Sequence, residues 1–150
     1  MGENREWLVS LVPYAQAAKA EWSGMRVSCC LAQAALETGW GRKMIGGFNY
    51  WGIKAMSWIP GSVEVATTEV VNGQRVPMRL LFAAFDTPQA AFNAYGRLVT
   101  NSHYYEKARD AASLDEYIEE LGEHWATDKA YGAKVRVIVN ALDLRQYDET

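Results

Sequence analysis

The chain has 150 residues, 49% of them apolar, and a formal net charge of −3 from 15 Lys and Arg against 18 Asp and Glu. This suits one globular domain, residues 1–150, with its own core, and it leaves no basic footprint for nucleic acid or an anionic membrane surface. An uncharged or mixed-charge ligand fits better.

Trp7, Leu8, Leu11, Val12, Ala15 and Ala18 recur at steps of three and four, which predicts an amphipathic helix that carries on past Pro13 or restarts there. Ser23-Gly24 ends it. The stretch before Pro13 lacks the organisation of a signal peptide, and no segment is expected to insert in a membrane. A second helix is predicted from Met25 to Thr38, apolar around most of its circumference and therefore central. Within it Cys29 and Cys30 are adjacent, point to different helix faces and read as two small core residues. No metal-ligand spacing is present, so neither a metal nor a cofactor is expected.

That helix stops at Glu37-Thr38-Gly39-Trp40-Gly41. A glutamate at a helix C-terminus gains nothing from the helix dipole, and an apolar wall beside it disfavours ionisation further. Both effects favour a protonated carboxyl able to donate a proton. Gly39 to Pro60 then reads as a loop rich in glycine and aromatic residues.

Val63–Thr68 and Val76–Phe85 are β-prone, and Asn72-Gly73 between them is a strong hairpin signal, with Glu69 toward the tip. Asp86-Thr87-Pro88 starts a helix running through Val99. Further helices are expected at about Tyr105–Ala112, Leu114–Gly122 after a Ser113 cap, and Tyr131–Leu142. The class is α+β, mainly helical with one central β-hairpin. The acidic run Asp115, Glu116, Glu119, Glu120 and Glu123 reads as a solvated helix face, and His103 and His124 as isolated histidines.

A helix-end carboxyl, a second glutamate on a hairpin and a cluster of tryptophans and tyrosines together point to carbohydrate chemistry. Glycoside hydrolysis needs an acid for the leaving oxygen, often a second carboxylate, and flat apolar faces for sugar rings. The run Ala32 to Arg42 (Ala-Gln-Ala-Ala-Leu-Glu-Thr-Gly-Trp-Gly-Arg), with Asn49-Tyr50-Trp51-Gly52-Ile53-Lys54-Ala55, closely resembles the glucosaminidase family of peptidoglycan-cleaving endo-β-N-acetylglucosaminidases. The likeness continues through Thr67 to Gly73, Phe82 to Thr87, Asn101 to Tyr105 and Ala126 to Tyr131.

By that resemblance the fold is lysozyme-like, Glu37 is the general acid, and Glu69 is the second carboxylate that activates water or stabilises positive charge. The expected substrate-binding set is Trp40, Asn49, Tyr50, Trp51, Trp125 and Tyr131. Asn49 would hold an N-acetyl group and the rings would stack on sugars; core packing is the rival reading for Trp51. Family members commonly carry Tyr-Ala-Thr-Asp where this chain has Trp125-Ala126-Thr127-Asp128. The hydroxyl is absent there, and Tyr131 and His124 are the residues available to replace it.

The resemblance implies cleavage of the peptidoglycan glycan strand after N-acetylglucosamine. The alternatives are an N-acetylmuramidase or lytic transglycosylase of the same fold, and, in another class, a non-catalytic peptidoglycan-binding module. Without a leader the chain is expected to be made in the cytoplasm and to act in the periplasm or cell wall after non-standard export or lysis, as a phage endolysin or an antibacterial effector. An effector would have an immunity protein occluding its cleft.

Overall fold

The computed structural model describes residues 2–149. Helix α1 (Gly2–Ser10) breaks at Leu11, and α2 (Val12–Glu21) restarts with Pro13 in its first turn, where a missing N–H costs nothing. The restart is thus the form the first helix takes. Helix α3 (Val27–Thr38) is buried at every position from Val27 to Ala35. Its first residues have no cap from Arg26. Instead Asp148 accepts from the Ser28 N–H at 2.9 Å and from the Ser28 hydroxyl at 2.5 Å, placing a carboxylate at the positive end of the helix dipole. Cys29 and Cys30 are free thiols with no exposed surface, and burial pushes the Cys29 thiol up to about 12.

Strands β1 (Gly61–Val71) and β2 (Gln74–Ala84) pair antiparallel, in register from Gly61 opposite Ala84 to Val71 opposite Gln74. Both are longer than the sequence pattern predicts. At the turn Asn72 (φ 51) and Gly73 (φ 79) are both left-handed, as a two-residue type I′ hairpin requires. Along β1 exposure alternates, so Val63, Val65, Thr67 and Glu69 share the more covered face, with Glu69 opposite Val76. The hairpin docks through loop 45–59 rather than through the helices. Ala83 N–H donates to Ile53 at 2.9 Å and Ala55 N–H to Leu81 at 3.1 Å, with Lys54 bridged to Phe82.

Helix α4 (Pro88–Asn101) is capped by Thr87, whose hydroxyl accepts from Ala90 N–H, and it packs on α2. A 3₁₀ turn (His103–Tyr105) and the one-turn helix α5 (Glu106–Arg109) replace the single helix expected at 105–112. Helix α6 (Leu114–Trp125) carries the Ser113 cap and runs three residues past the predicted end. Helix α7 (Tyr131–Ala141) packs on α3 and α6, and a 3₁₀ turn (Leu144–Asp148) covers α3. The acidic face of α6 is largely exposed, and two of its carboxylates are paired there, Glu119 with Arg136 and Asp115 with Arg145, each at 2.8 Å. Being exposed, such pairs add at most about 1 kcal/mol each. Among the described residues no helix is long and apolar enough to cross a membrane.

Candidate active site

The backbone of Glu37 is fixed by the way α3 ends. Gly39 (φ 57), Trp40 (φ 62) and Gly41 (φ 86) are all left-handed, which turns the chain sharply and lets Trp40 N–H donate to Ala35 at 2.9 Å. The Thr38 hydroxyl donates to Ala34 at 2.7 Å and accepts from Gly41 N–H at 2.8 Å. A side chain at Gly41 would fall 2.5 Å from the Trp7 ring, so only glycine lets this turn close.

Glu37 projects from that end into a cleft, exposed on the cleft side and desolvated by the walls around it. Desolvation raises its carboxyl above the ordinary value, and a hydrogen bond with Tyr131 pulls in the opposite direction. Tyr131, at the start of α7, is buried; burial first, and the Glu37 charge second, hold its hydroxyl protonated far above the ordinary phenol range. The Gln33 amide, one turn before Glu37 on the same helix, donates to the Tyr131 oxygen at 3.1 Å. Tyr131 thus stands between the Gln33 amide and the Glu37 carboxyl. The Gln33 carbonyl accepts from the hydroxyl of Tyr95 on α4 and from the Cys29 thiol at 3.6 Å. A buried chain therefore runs from α4 through α3 and α7 to the carboxyl. Gln33 is the member that sequence reasoning missed; an amide in the middle of the apolar run from Cys29 to Leu36 was its signal.

The cleft encloses about 930 Å³, the size of a small-ligand site. Glu37, Trp51, Glu69, Arg97, His124 and Trp125 are among the residues that line it. Both predicted carboxylates thus open on one cavity. Lys54 stands over the Phe82 ring at 4.4 Å and Arg97 over the Trp58 ring at 4.5 Å, again within this cleft. Tyr104, His124 and Trp125 add an aromatic lip, with Trp125 backed by Tyr95 at 5.6 Å and Tyr105 at 5.8 Å. A second depression of about 450 Å³ on the hairpin, lined by residues such as Thr67 and Met78, holds neither glutamate. Among the described residues no three His, Cys, Asp or Glu side chains gather as metal ligands would.

The expected substrate-binding residues divide. Trp125 lines the cleft, whereas Tyr131 lies beneath it and reaches Glu37 rather than open space. Asn49 is buried and cannot hold an N-acetyl group. Its amide donates to Ile53 at 2.9 Å and Ala83 at 2.8 Å, while its carbonyl accepts from Ile53 N–H at 3.0 Å. Asn49 thereby clips loop to hairpin. Tyr50 is also buried, in contact with Phe92 and Trp51, and contributes no cleft wall. Trp51 is core and floor at once: it borders the cleft but is only 2% exposed, and its indole N–H donates to Cys30 at 3.0 Å. Trp40 does not border the cleft, because the left-handed turn carries it away from Glu37. Sequence reasoning did not single out Met56, Arg97, Leu98 or Tyr104 as cleft residues.

An acid-poised glutamate at a helix end, a second glutamate and an aromatic-lined cleft on a mainly helical α+β scaffold define a lysozyme-like glycoside hydrolase. A family model described as glucosaminidase, mannosyl-glycoprotein endo-beta-N-acetylglucosaminidase, matches residues 12–144. The chain belongs to the glucosaminidase family. It is 34% identical over 150 residues to peptidoglycan hydrolase FlgJ of Pseudomonas aeruginosa, covering 94% of this chain and 37% of that protein. It is 31% identical to a probable N-acetylmuramidase of Lactococcus lactis subsp. cremoris over 86% of this chain and 32% of that one. The fold matches a peptidoglycan hydrolase mutant from Sphingomonas sp. A1 with a TM-score of 0.79 and 34% identity, over 95% of this chain and 97% of that one. The chain spans less than half the length of these two curated relatives.

Proposed function

We propose that this domain hydrolyses the β-1,4 bond after N-acetylglucosamine in the glycan strand of peptidoglycan. Glu37 protonates the bridging oxygen as the bond breaks, and Glu69 assists water or stabilises the positive charge that develops on the sugar. Trp125 and the Tyr104 lip offer faces for sugar rings. The observation that carries the reading is Glu37 itself, raised by desolvation, hydrogen-bonded to Tyr131 and open to the cleft that Glu69 also lines. Glu37→Gln is expected to abolish clearing of purified sacculi while leaving the circular dichroism spectrum unchanged; full clearing by that variant contradicts the assignment.

A muramidase is the second reading, supported by the likeness to the probable N-acetylmuramidase. The sugar at the newly formed reducing end separates the two. We further propose that the activity serves bacteriolysis, in an effector or a phage endolysin. Hydrolysis of the wall supports this use, and its test is lysis of a Gram-negative host when the chain is directed to the periplasm and none when it stays in the cytoplasm.

A further inference from the structure

A neutral sugar chain needs no cations to hold it, yet two stand in this cleft. Lys54 comes from the loop bridged to β2 and Arg97 from the surface of α4, and both line the cavity that contains Glu37 and Glu69. Among the described residues neither forms an ion pair, whereas Arg79, Lys134, Arg136 and Arg145 all do. Each lies over an aromatic ring instead, Lys54 on Phe82 and Arg97 on Trp58. Stacking steadies a cation without consuming its N–H donors, and a guanidinium over a ring keeps its edge free for a bidentate acceptor.

The charge balance points the same way. Lys54 and Arg97 match the two carboxyl groups of the cleft, Glu37 and Glu69, in number. The chain as a whole carries −3, so its cleft is richer in cations than the chain is. Low-dielectric walls concentrate such a field on whatever enters.

Resting on the hydrolase reading above, we propose that Lys54 and Arg97 form a carboxylate-binding subsite that recognises the acidic groups borne by the glycan strand. Those groups are the carboxyls of stem peptides where peptides are attached, and the lactyl carboxyl of muramic acid where they are not. The subsite makes the enzyme selective for an anionic strand over a neutral polymer of the same sugars.

The test measures kcat and KM on three preparations free of phosphate polymers: intact sacculi, sacculi stripped of peptides by an amidase, and sacculi whose carboxyls have been converted to neutral amides. Wild-type kcat/KM is expected to fall about tenfold or more on the amidated substrate, through KM. Lys54→Gln and Arg97→Gln should shrink that discrimination toward unity, and Lys54→Arg should restore it. If stripped strands behave like intact ones, the subsite takes the lactyl carboxyl as well as the peptide carboxyls; if they behave like amidated ones, it takes the peptide carboxyls alone. Equal wild-type rates on amidated and intact sacculi, or full discrimination in both Gln variants, overturn the subsite and leave the hydrolase reading standing. No wild-type cleavage of any preparation overturns both.

Discussion

At the scale of single residues the chemistry turns on one carboxyl and the phenol behind it. Because desolvation raises the Glu37 carboxyl, the folded state binds its proton more tightly than the unfolded chain does. That contribution to stability is present at acid pH and is lost as pH rises from the unfolded value through the raised folded one. Glu37→Gln, which has no charge to desolvate, is therefore expected to melt at or slightly above the wild-type temperature at pH 7 while kcat falls by about 10² to 10⁴. A clear drop in melting temperature would contradict this. Tyr131→Phe removes the hydrogen bond that holds Glu37's value down. The alkaline limb of its kcat/KM profile should move to higher pH, with a smaller loss of rate than Glu37→Gln; an unmoved limb would separate Tyr131 from Glu37. Glu37 was legible in the sequence because helix end, glycine and tryptophan coincide there. The Gln33 to Tyr131 hydrogen bond was not, since it joins residues 98 apart and local pattern carries no record of it.

Among the elements, the hairpin and its loop decide where Glu69 stands. The strands were legible from Asn72-Gly73 and alternation, and α4 and α6 from Thr87 and Ser113, because turns and caps are local chemistry. Loop 39–60 was not. Its aromatic content reads as binding surface, but Asn49 and Tyr50 spend their side chains inside, where a glycine-rich chain without backbone ladders needs side-chain partners for its buried amides. Asn49→Ala removes the amide that bonds the Ala83 carbonyl and the Ile53 N–H and is expected to destabilise the fold by about 2 kcal/mol or more in urea unfolding. Gly73→Val strains a left-handed position at the tip, where the hairpin packs mainly on itself. It should lower kcat through Glu69 with little change in global melting, and a large loss of global stability would contradict that view of the hairpin.

For the whole molecule, the helical core serves to hold α3. Asp148 closes its N-terminus, the left-handed turn its C-terminus, and α2 and α7 pack along its sides, so Glu37 stands on a rigid element. The free thiols lie inside that core. Melting should be indifferent to reductant, and Cys29 and Cys30 should react with thiol reagents only on unfolding; rapid labelling of the native protein would contradict their burial. The central claim concerns which bond Glu37 breaks, and mass spectrometry of borohydride-reduced muropeptides released by the wild-type chain tests it most directly. Reduced N-acetylglucosamine at the new ends is the predicted result; reduced N-acetylmuramic acid, or an anhydromuramyl product, would contradict it.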